Sequence, residues 1–269
     1  MQIDLDAAPA FVYTGSKKIS PQQPCVMFIH GAANDHSVWT LQSRYFAHHG
    51  WNILAVDLPG HGKSLAAPLT HIGAMADWCA RLLTAAGMGR AAVVGHSMGS
   101  LVALEFAARS PERVTQLALV GTAYPMKVSE ALLGAAESND HAALDMINVW
   151  GHSGAGQMGG NRAPGHWMMG GGIRLLERNA KPLHTDFSAC NDYNDAEASA
   201  ARVTCPALVV AGNRDLMTPA KSAQGLAGKL PDAQVRLFDG AGHDIMSEQP
   251  DALLDCLIGF LKPGLSPGA

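Results

Sequence analysis

Short apolar runs without polar alternation recur along the chain. A strand that is apolar on both faces belongs inside a parallel sheet that helices cover on both sides. One such run directly precedes a serine flanked by glycines, and two runs near the N-terminus are predicted to form an antiparallel edge pair. The predicted strands are residues 3–6, 11–14, 25–29, 53–56, 90–94, 117–120, 207–211 and 235–238.

Segments with helical periodicity lie between these runs. One of them has Pro250 in its first turn, where proline suits the start of a helix. The alternation of strands and helices predicts an α/β fold, with a doubly wound, mostly parallel sheet flanked by helices. The predicted helices are residues 37–49, 72–86, 98–109, 219–229 and 250–261.

The alternation stops after the strand predicted at 117–120, and no strand signal returns until residue 205. The intervening segment is helix-like, with a stretch at 151–172 that is dense in glycine and methionine. Its helix-like parts are 129–149, 171–178 and 195–201. We interpret the segment as a helical cap inserted over the carboxyl edge of the sheet. The predicted organisation is a first core part, a cap and a second core part, at residues 1–121, 122–204 and 205–269.

Composition narrows the function classes. A chain of 269 residues can bury one large core, roughly three quarters of its unfolded surface. Charged residues make up 16% and the formal net charge is −4, which argues against nucleic acid and against a polybasic membrane contact. The chain contains no uninterrupted apolar stretch of about 18 residues, so no membrane span is expected. Five scattered cysteines without a CxxC pair indicate reduced thiols, and the acidic N-terminus does not match a signal peptide, so we expect a cytoplasmic protein.

The pentapeptide Gly-His-Ser-Met-Gly at 95–99 joins a predicted strand directly to a predicted helix. A strand that reverses into a helix leaves the central residue strained, and glycines at 95 and 99 remove the Cβ atoms that would collide across the turn. Ser97 would then project its hydroxyl from the sheet edge at a helix N-terminus, which favours developing negative charge. Ser97 is also a residue type favoured as an ordinary helix N-cap.

Two later loops supply partners for this serine. A serine hydroxyl is a weak nucleophile until a base removes its proton, and an acid must orient that base. Asp215 follows the strand predicted at 207–211, and His243 follows the strand predicted at 235–238. In a parallel sheet these loops lie at the same edge as Ser97, so the three residues are expected to converge in the order Ser, Asp, His.

With these motifs the chain resembles an enzyme of the α/β-hydrolase fold along nearly its whole length. The supporting marks are His30-Gly31, Asp57-Leu58-Pro59-Gly60-His61-Gly62-Lys63-Ser64, the serine turn, the Asp215 loop and the late Gly242-His243. The resemblance implies that Ser97 is the nucleophile, His243 the base and Asp215 its orienting acid. It also implies an oxyanion hole formed by the backbone N–H groups of Ala32 and Met98. Two departures from the family pattern are Ser100, where many relatives have glycine, and Ala-Ala-Asn-Asp after Gly31.

Competing residues have simpler interpretations. Some relatives carry the acid after the strand that ends here at Val120, but Gly121-Thr122-Ala123 offers no carboxylate, which favours Asp215 over an ordinary turn role. Asp57 and Asp239 are interpreted as turn or cap residues, and Asp244 is too near His243 in sequence to orient its ring easily. By resemblance, structural roles fall to His30, His61 and His96.

The cap offers candidate substrate contacts, namely His152, Met158, His166, Trp167, Met168 and Met169. Methionine adapts to varied ligand shapes, but the same residues are also suited to packing the cap on the core. Packing is favoured for most of them, and Trp167 and Met168 are the predicted substrate contacts.

The leading hypothesis is a serine hydrolase that cleaves a small carboxylic ester or related acyl compound through an acyl-enzyme, without metal or organic cofactor. By resemblance, a serine rather than an aspartate at position 97 excludes haloalkane dehalogenases and epoxide hydrolases. It leaves open esterases, lactonases, thioesterases, carbon–carbon bond hydrolases, cofactor-free haloperoxidases, aminopeptidases and acyltransferases. One alternative is a carbon–carbon bond hydrolase of ring-cleavage products, with Asn34, Arg174 or Arg178 as additional polar groups. The other is a catalytically idle small-ligand receptor. The expected partner is a small acyl substrate, with no nucleic acid or membrane, and the expected state is a monomer or homodimer.

Overall fold

A central sheet organises the computed structural model, which describes residues 1–5, 8–160 and 167–261. In chain order its eight strands among these residues are β1 (Gln2–Ile3), β2 (Ala10–Tyr13), β3 (Cys25–Ile29), β4 (Asn52–Val56), β5 (Ala91–His96), β6 (Val114–Val120), β7 (Ala207–Gly212) and β8 (Ala233–Phe238). Their order across the sheet is β1-β2-β4-β3-β5-β6-β7-β8. The pairings β1–β2 and β2–β4 are antiparallel, and all the others are parallel. The predicted fold class and the antiparallel edge pair are confirmed.

Helices flank the sheet and fill the segment between β6 and β7. They are α1 (Thr40–His48), α2 (Ile72–Ala85), α3 (Met98–Arg109), α4 (Glu130–Glu137), α5 (His141–Trp150), α6 (Gly154–Gln157), α7 (Met168–Arg178), α8 (Leu183–Asp192), α9 (Ala196–Arg202), α10 (Ala220–Ala227), α11 (Ile245–Glu248) and α12 (Pro250–Phe260). Short 3-10 helices span His36–Trp39 and Pro111–Arg113. Among the described residues, no helix combines the length and the hydropathy needed to cross a bilayer.

The sheet core is apolar on both faces, as the strand sequences predict. Along β3, Met27 and Ile29 pack into a cluster with α2 and α3, whereas Val26 and Phe28 pack with residues of α1 and α12. Every residue of β3, β4, β5 and β7 is buried. Because β3, β5, β6, β7 and β8 run parallel, their carboxyl ends meet at one edge of the sheet.

The helix predicted at 129–149 is wrong as a single element. The chain forms α4 and α5 instead, separated at residues 138–140. Asn139 has a φ of +55°, which no α-helix accepts, and the Asp140 side chain caps α5 by accepting the Ala142 N–H at 3.0 Å. Helix α8 was not predicted, because its polar sequence, Leu-His-Thr-Asp-Phe-Ser-Ala-Cys-Asn-Asp, has little apolar periodicity.

The helices between β6 and β7 pack in two groups. Apolar residues of α4, α5 and α7 and the first part of α8 form one cluster, which also contains Ala33. The end of α8 and helix α9 join the cluster of α2 and α3 instead, through Ala189, Cys190, Ala196 and Ala200. The C-terminal part of this segment therefore packs with α2 and α3, and the part before it packs with the loop after β3.

Candidate active site

Ser97 lies at the tight turn between β5 and α3. Its φ is +53° and its ψ is −123°, a strained backbone conformation for a residue with a Cβ. A Cβ at Gly95 would overlap the carbonyl oxygen of Gly99, and a Cβ at Gly99 would overlap the carbonyl oxygen of His30. The two glycines therefore allow the close backbone packing that this turn requires. The Ser97 side chain is not used as a helix N-cap.

Asp215 lies in the loop after β7 and is held by its own loop. Its Oδ1 accepts the N–H groups of Met217 at 2.8 Å and Thr218 at 2.7 Å, and its Oδ2 accepts the Thr218 hydroxyl at 2.6 Å. The residue is 7% exposed. These donors fix the carboxylate in one orientation.

His243 follows β8 and meets this carboxylate. Its Nδ1 lies 2.8 Å from Asp215 Oδ2 and 3.0 Å from the Thr218 hydroxyl oxygen. Because the Thr218 hydroxyl already donates to Asp215, the Nδ1–H of His243 donates to the same carboxylate, which leaves Nε2 as an acceptor. A Cβ at Gly121, where φ is +57°, would approach the His243 ring to 3.2 Å, so glycine leaves room for the ring.

Asp215 and His243 each shift the pKa of the other in the direction that favours its charged form. Burial lowers the pKa of His243, but the Asp215 carboxylate more than offsets this and holds that pKa above its ordinary value. Burial raises the pKa of Asp215, but His243 and the Thr218 hydrogen bonds bring it below its ordinary value. The neighbouring His96 has a pKa lowered to about 4 by burial and by His243, so it is neutral, and its Nε2–H donates to the His243 carbonyl at 3.0 Å.

The loop after β3 carries one of the expected oxyanion donors, Ala32. The Asn34 N–H donates to the Gly31 carbonyl at 3.3 Å, which closes a turn in which Ala33 has a φ of +51°. A Cβ at Gly31 would lie 3.0 Å from the Ser97 Cβ, so this loop runs beside the serine. Within the described chain, no acceptor is found for the Ala32 N–H. The Met98 N–H begins α3, where the first N–H groups of a helix have no intrahelical partner.

Ser97 and His243 line one cavity of about 610 Å³. Its wall includes apolar residues from the segment between β6 and β7, namely Ile147, Met168, Leu175, Leu176 and Phe187. Polar groups come from Asn34, Ser37, Thr40, Gln42 and Asn148, and carboxylates from Asp244 and Asp251. The described residues of the wall include no arginine or lysine.

The two predicted substrate contacts, Trp167 and Met168, differ in their position relative to the cavity. Met168 is 3% exposed and lies in the cavity wall, whereas Trp167 is 68% exposed and is not part of that wall. The Trp167 ring instead lies against Gly170. Of the other cap candidates, Met158 is 88% exposed, and His166 is outside the described residues.

The remaining candidate residues have other partners. Arg174 pairs with Glu177 and is 79% exposed at its side chain, and Arg178 pairs with Asp35. Asp239 accepts a hydrogen bond from Asn213 at 2.7 Å, and the Asp244 carboxylate lies 3.6 Å from His152 Nε2 rather than on His243. Only Asn34 of the three groups considered for carbon–carbon bond hydrolysis lies in the cavity wall.

One group of residues has the spacing of a metal site. Ligand atoms of Asp35, His36 and Asp57 lie within 4.8 Å of one another. Asp57 already accepts the His36 N–H at 2.8 Å, the His36 ring at 2.7 Å and the Lys63 N–H at 2.8 Å. The cluster is thus a hydrogen-bonded support for two loops, which agrees with the turn role predicted for Asp57.

Sequence reasoning missed Thr218 and Asp186. Thr218 belongs to an Asp-x-x-Thr sequence just before Pro219, the residue that precedes helix α10. In this pattern the aspartate accepts the N–H groups that follow it. That local signal was available. Asp186, which accepts the Ala33 N–H at 3.0 Å, is 153 positions away from it, and no local pattern predicts such a contact.

Comparisons with known proteins agree with the fold. Residues 26–255 match a family model described as the alpha/beta hydrolase family. The chain is 33% identical over 239 residues to a pimeloyl-[acyl-carrier protein] methyl ester esterase of Chromobacterium violaceum, covering 82% of this chain and 88% of that protein. It is 28% identical over 254 residues to a 2-hydroxy-6-oxononadienedioate/2-hydroxy-6-oxononatrienedioate hydrolase of Burkholderia vietnamiensis, covering 88% and 86%.

A solved structure, the enol-lactonase of Burkholderia xenovorans LB400, superposes with a TM-score of 0.85 at 20% identity. The match covers 97% of this chain and 99% of that one. At this identity the likeness concerns the fold alone.

Proposed function

The chain belongs to the alpha/beta hydrolase family, and we propose that it is a serine hydrolase of small, uncharged carboxylic esters. The observation that carries the proposal is the hydrogen-bonded row of Thr218, Asp215 and His243, whose last member lines the same cavity as Ser97. A nucleophile, a base with a free Nε2 and an orienting acid are the groups that acyl transfer requires.

In the proposed mechanism, Ser97 Oγ attacks the ester carbonyl while His243 Nε2 takes its proton. Asp215 holds the imidazole through Nδ1–H and stabilises the imidazolium that forms. The imidazolium then gives its proton to the leaving alcohol, and an acyl-enzyme remains on Ser97. Water activated by His243 attacks the acyl-enzyme, and the acid leaves.

The backbone N–H groups of Ala32 and Met98 are proposed to bind the oxyanion. Both lie beside Ser97, one in the loop after β3 and the other at the start of α3. Each such donor typically lowers the barrier by about 2.7–4 kcal/mol, because it is already oriented toward the charge that develops.

The cavity wall supports an uncharged substrate. Its apolar part, around Met168, suits an acyl chain, while Asp244 and Asp251 would repel a substrate carboxylate. We propose that residues 122–204 act as the cap and supply most of this acyl wall. A cytoplasmic location stays a prediction, supported by five cysteines that are all free thiols.

Carbon–carbon bond hydrolysis is the second candidate, because the Burkholderia vietnamiensis relative is named for such a substrate. A dienolate and a carboxylate would need cationic partners. Arg174 and Arg178 pair with carboxylates elsewhere, and the described wall contributes only Asn34 of the expected groups. The ester is therefore preferred over the vinylogous diketone.

The test uses a fluorophosphonate probe on the native protein and on Ser97→Ala. We expect stoichiometric labelling of the native protein and none of the variant. An unlabelled native protein would contradict the proposal and favour an idle receptor. Turnover of nitrophenyl acetate or butyrate is then compared with that of a vinylogous diketone, and a preference for the diketone by orders of magnitude would replace the esterase by the carbon–carbon bond hydrolase.

A further inference from the structure

We propose that Asp186 of helix α8 is a positioning residue that holds the loop of Ala32 in place and so shapes the oxyanion hole. This inference rests on the proposed serine-hydrolase function. It assigns a positioning role to a residue from the segment between β6 and β7, which also supplies apolar residues of the cavity wall.

Asp186 is fully buried, and one of its oxygens serves two loops. Its Oδ2 accepts the Ala33 N–H at 3.0 Å and lies 2.8 Å from His61 Nε2. Its Oδ1 is buried and has no hydrogen-bond partner among the described residues. An orphaned buried oxygen is unfavourable, so packing alone gives no reason for a carboxylate at this position.

The ring of His61 lies against Asp186 and hydrogen-bonds with it. Its Nε2 faces Asp186 and its Nδ1 lies 3.1 Å from the Pro59 carbonyl, so both ring nitrogens face oxygen acceptors and the protonated ring satisfies both. Burial lowers the pKa of His61, but Asp186 and the two hydrogen bonds bring it above its ordinary value.

The peptide group between Ala32 and Ala33 is held by hydrogen bonds at both its N–H and its carbonyl. Its N–H donates to Asp186, and its carbonyl accepts the Asn34 side-chain amide at 3.1 Å. Ala33 has a φ of +51°, which a residue with a Cβ rarely adopts without support. Releasing the N–H end would let this peptide rotate, and the backbone that aims the Ala32 N–H would lose its fixed geometry.

A second contact ties the same loop to the end of α7. Asn179 Nδ2 donates to the Asp35 carboxylate at 3.0 Å, and the Gly62 N–H donates to Asn179 Oδ1 at 2.8 Å. The loops that follow β3 and β4 are therefore both fastened to residues between β6 and β7. Asp186 is the tie nearest to Ala32.

The experiment compares Asp186→Ala, Asp186→Asn and the control Asp192→Ala, an exposed carboxylate on the same helix. Fluorophosphonate titration counts competent sites, and kcat per titrated site is measured with nitrophenyl butyrate. For Asp186→Ala we expect kcat to fall on the order of 10- to 100-fold, with KM within about twofold. Affinity for a trifluoromethyl ketone, which forms a tetrahedral adduct, falls by a similar factor.

Asp186→Asn is expected to recover most of kcat, because its amide oxygen can still accept the Ala33 N–H, and Asp192→Ala to match the wild type. If Asp186→Ala yields too few titratable sites, Asp186→Leu, which fills the space without an acceptor, carries the same expectation. A kcat per site within about threefold of wild type in the variant that lacks the acceptor would overturn the proposal.

Hydrogen exchange separates this outcome from a failure of the proposed function. If the wild type shows no Ser97-dependent labelling, the hydrolase proposal fails, but the Ala33 amide still exchanges faster in Asp186→Ala if Asp186 holds the loop. Unchanged exchange at Ala33 would count against the positioning role whatever the wild type hydrolyses.

Discussion

His243 Nδ1 lies 2.8 Å from Asp215 Oδ2, although the two residues stand on loops that follow different strands. The parallel pairing of β7 with β8 brings the loops together, since both strands end at the same sheet edge. The contact sets the tautomer of the imidazole, because Nδ1 must carry a proton to donate to the carboxylate. The other nitrogen is then free to act as a base.

This pairing predicts the pH dependence of activity. His243 must be neutral to accept the Ser97 proton, so kcat/KM rises with pH through the pKa of His243. Burial lowers that pKa, but the Asp215 carboxylate raises it by more, so the midpoint is expected above the ordinary value of 6.5. The profile of kcat/KM for nitrophenyl butyrate between pH 5 and 9 measures it, and a midpoint at or below 6.5 would contradict the assignment.

Asp215→Asn tests the same pair from the other side. The amide offers no charge to the imidazolium and favours the wrong tautomer, so kcat is expected to fall about 10⁴-fold. Asp239→Asn is the matched control, because Asp239 follows β8 but its carboxylate accepts a hydrogen bond from Asn213. This substitution is expected to leave kcat unchanged. Equal losses in the two variants would remove Asp215 from the mechanism.

Thr218 is expected to tune the position of Asp215. Thr218→Val keeps the shape but removes the hydroxyl that donates to Asp215 Oδ2 at 2.6 Å, at a cost of about 1–2 kcal/mol. We expect kcat to fall about 5- to 30-fold at an unchanged KM. Thr218→Ser, which keeps the donor, restores most of the activity, and a Ser variant as slow as the Val variant would indicate a packing role.

The strand and helix pattern alone predicted the parallel sheet and the approximate limits of most of its flanking helices. Apolar runs such as 207–211 are buried on both faces, so local composition and tertiary environment agree there. Prediction failed where polar residues control the backbone. Asn139 and Asp140 break a helix that apolar periodicity would continue, and α8 is built from residues that are equally common in loops.

For the site, the positions of the strand ends were sufficient to predict that Ser97, Asp215 and His243 lie at one edge of the sheet. Contacts between residues far apart in the sequence could not be predicted. The bond between Ala33 and Asp186 depends on where α8 packs, and the position of Trp167 outside the cavity wall depends on how α7 begins. The periodicity of apolar residues in the sequence predicts neither this hydrogen bond nor the position of Trp167.

The serine turn predicts a strong dependence of stability on Gly95. In Gly95→Ala the new Cβ overlaps backbone atoms of Gly99 and Ser100, which cannot move without shifting α3. We expect a loss of more than about 3 kcal/mol, a fall in Tm of at least about 6 °C. Gly89→Ala is the control, because nothing lies within 4 Å of its Cβ position and its φ is not positive, so its unfolding free energy should change by less than about 1 kcal/mol. Matching melting curves for the two variants would show that the turn relaxes freely.

Met168 is expected to limit the length of the acyl chain. Its side chain is buried in the cavity wall, so Met168→Ala opens space in a wall to which the apolar residues Leu176 and Phe187 also belong. Each additional methylene that a pocket accommodates is worth about tenfold or more in kcat/KM, so the ratio of nitrophenyl octanoate to butyrate should rise at least about tenfold. Trp167→Ala is the control, since Trp167 is 68% exposed outside that wall and its removal should leave the ratio within about twofold. A shift in Trp167→Ala as large as in Met168→Ala would mean that the acyl chain follows a different path from the cavity described here.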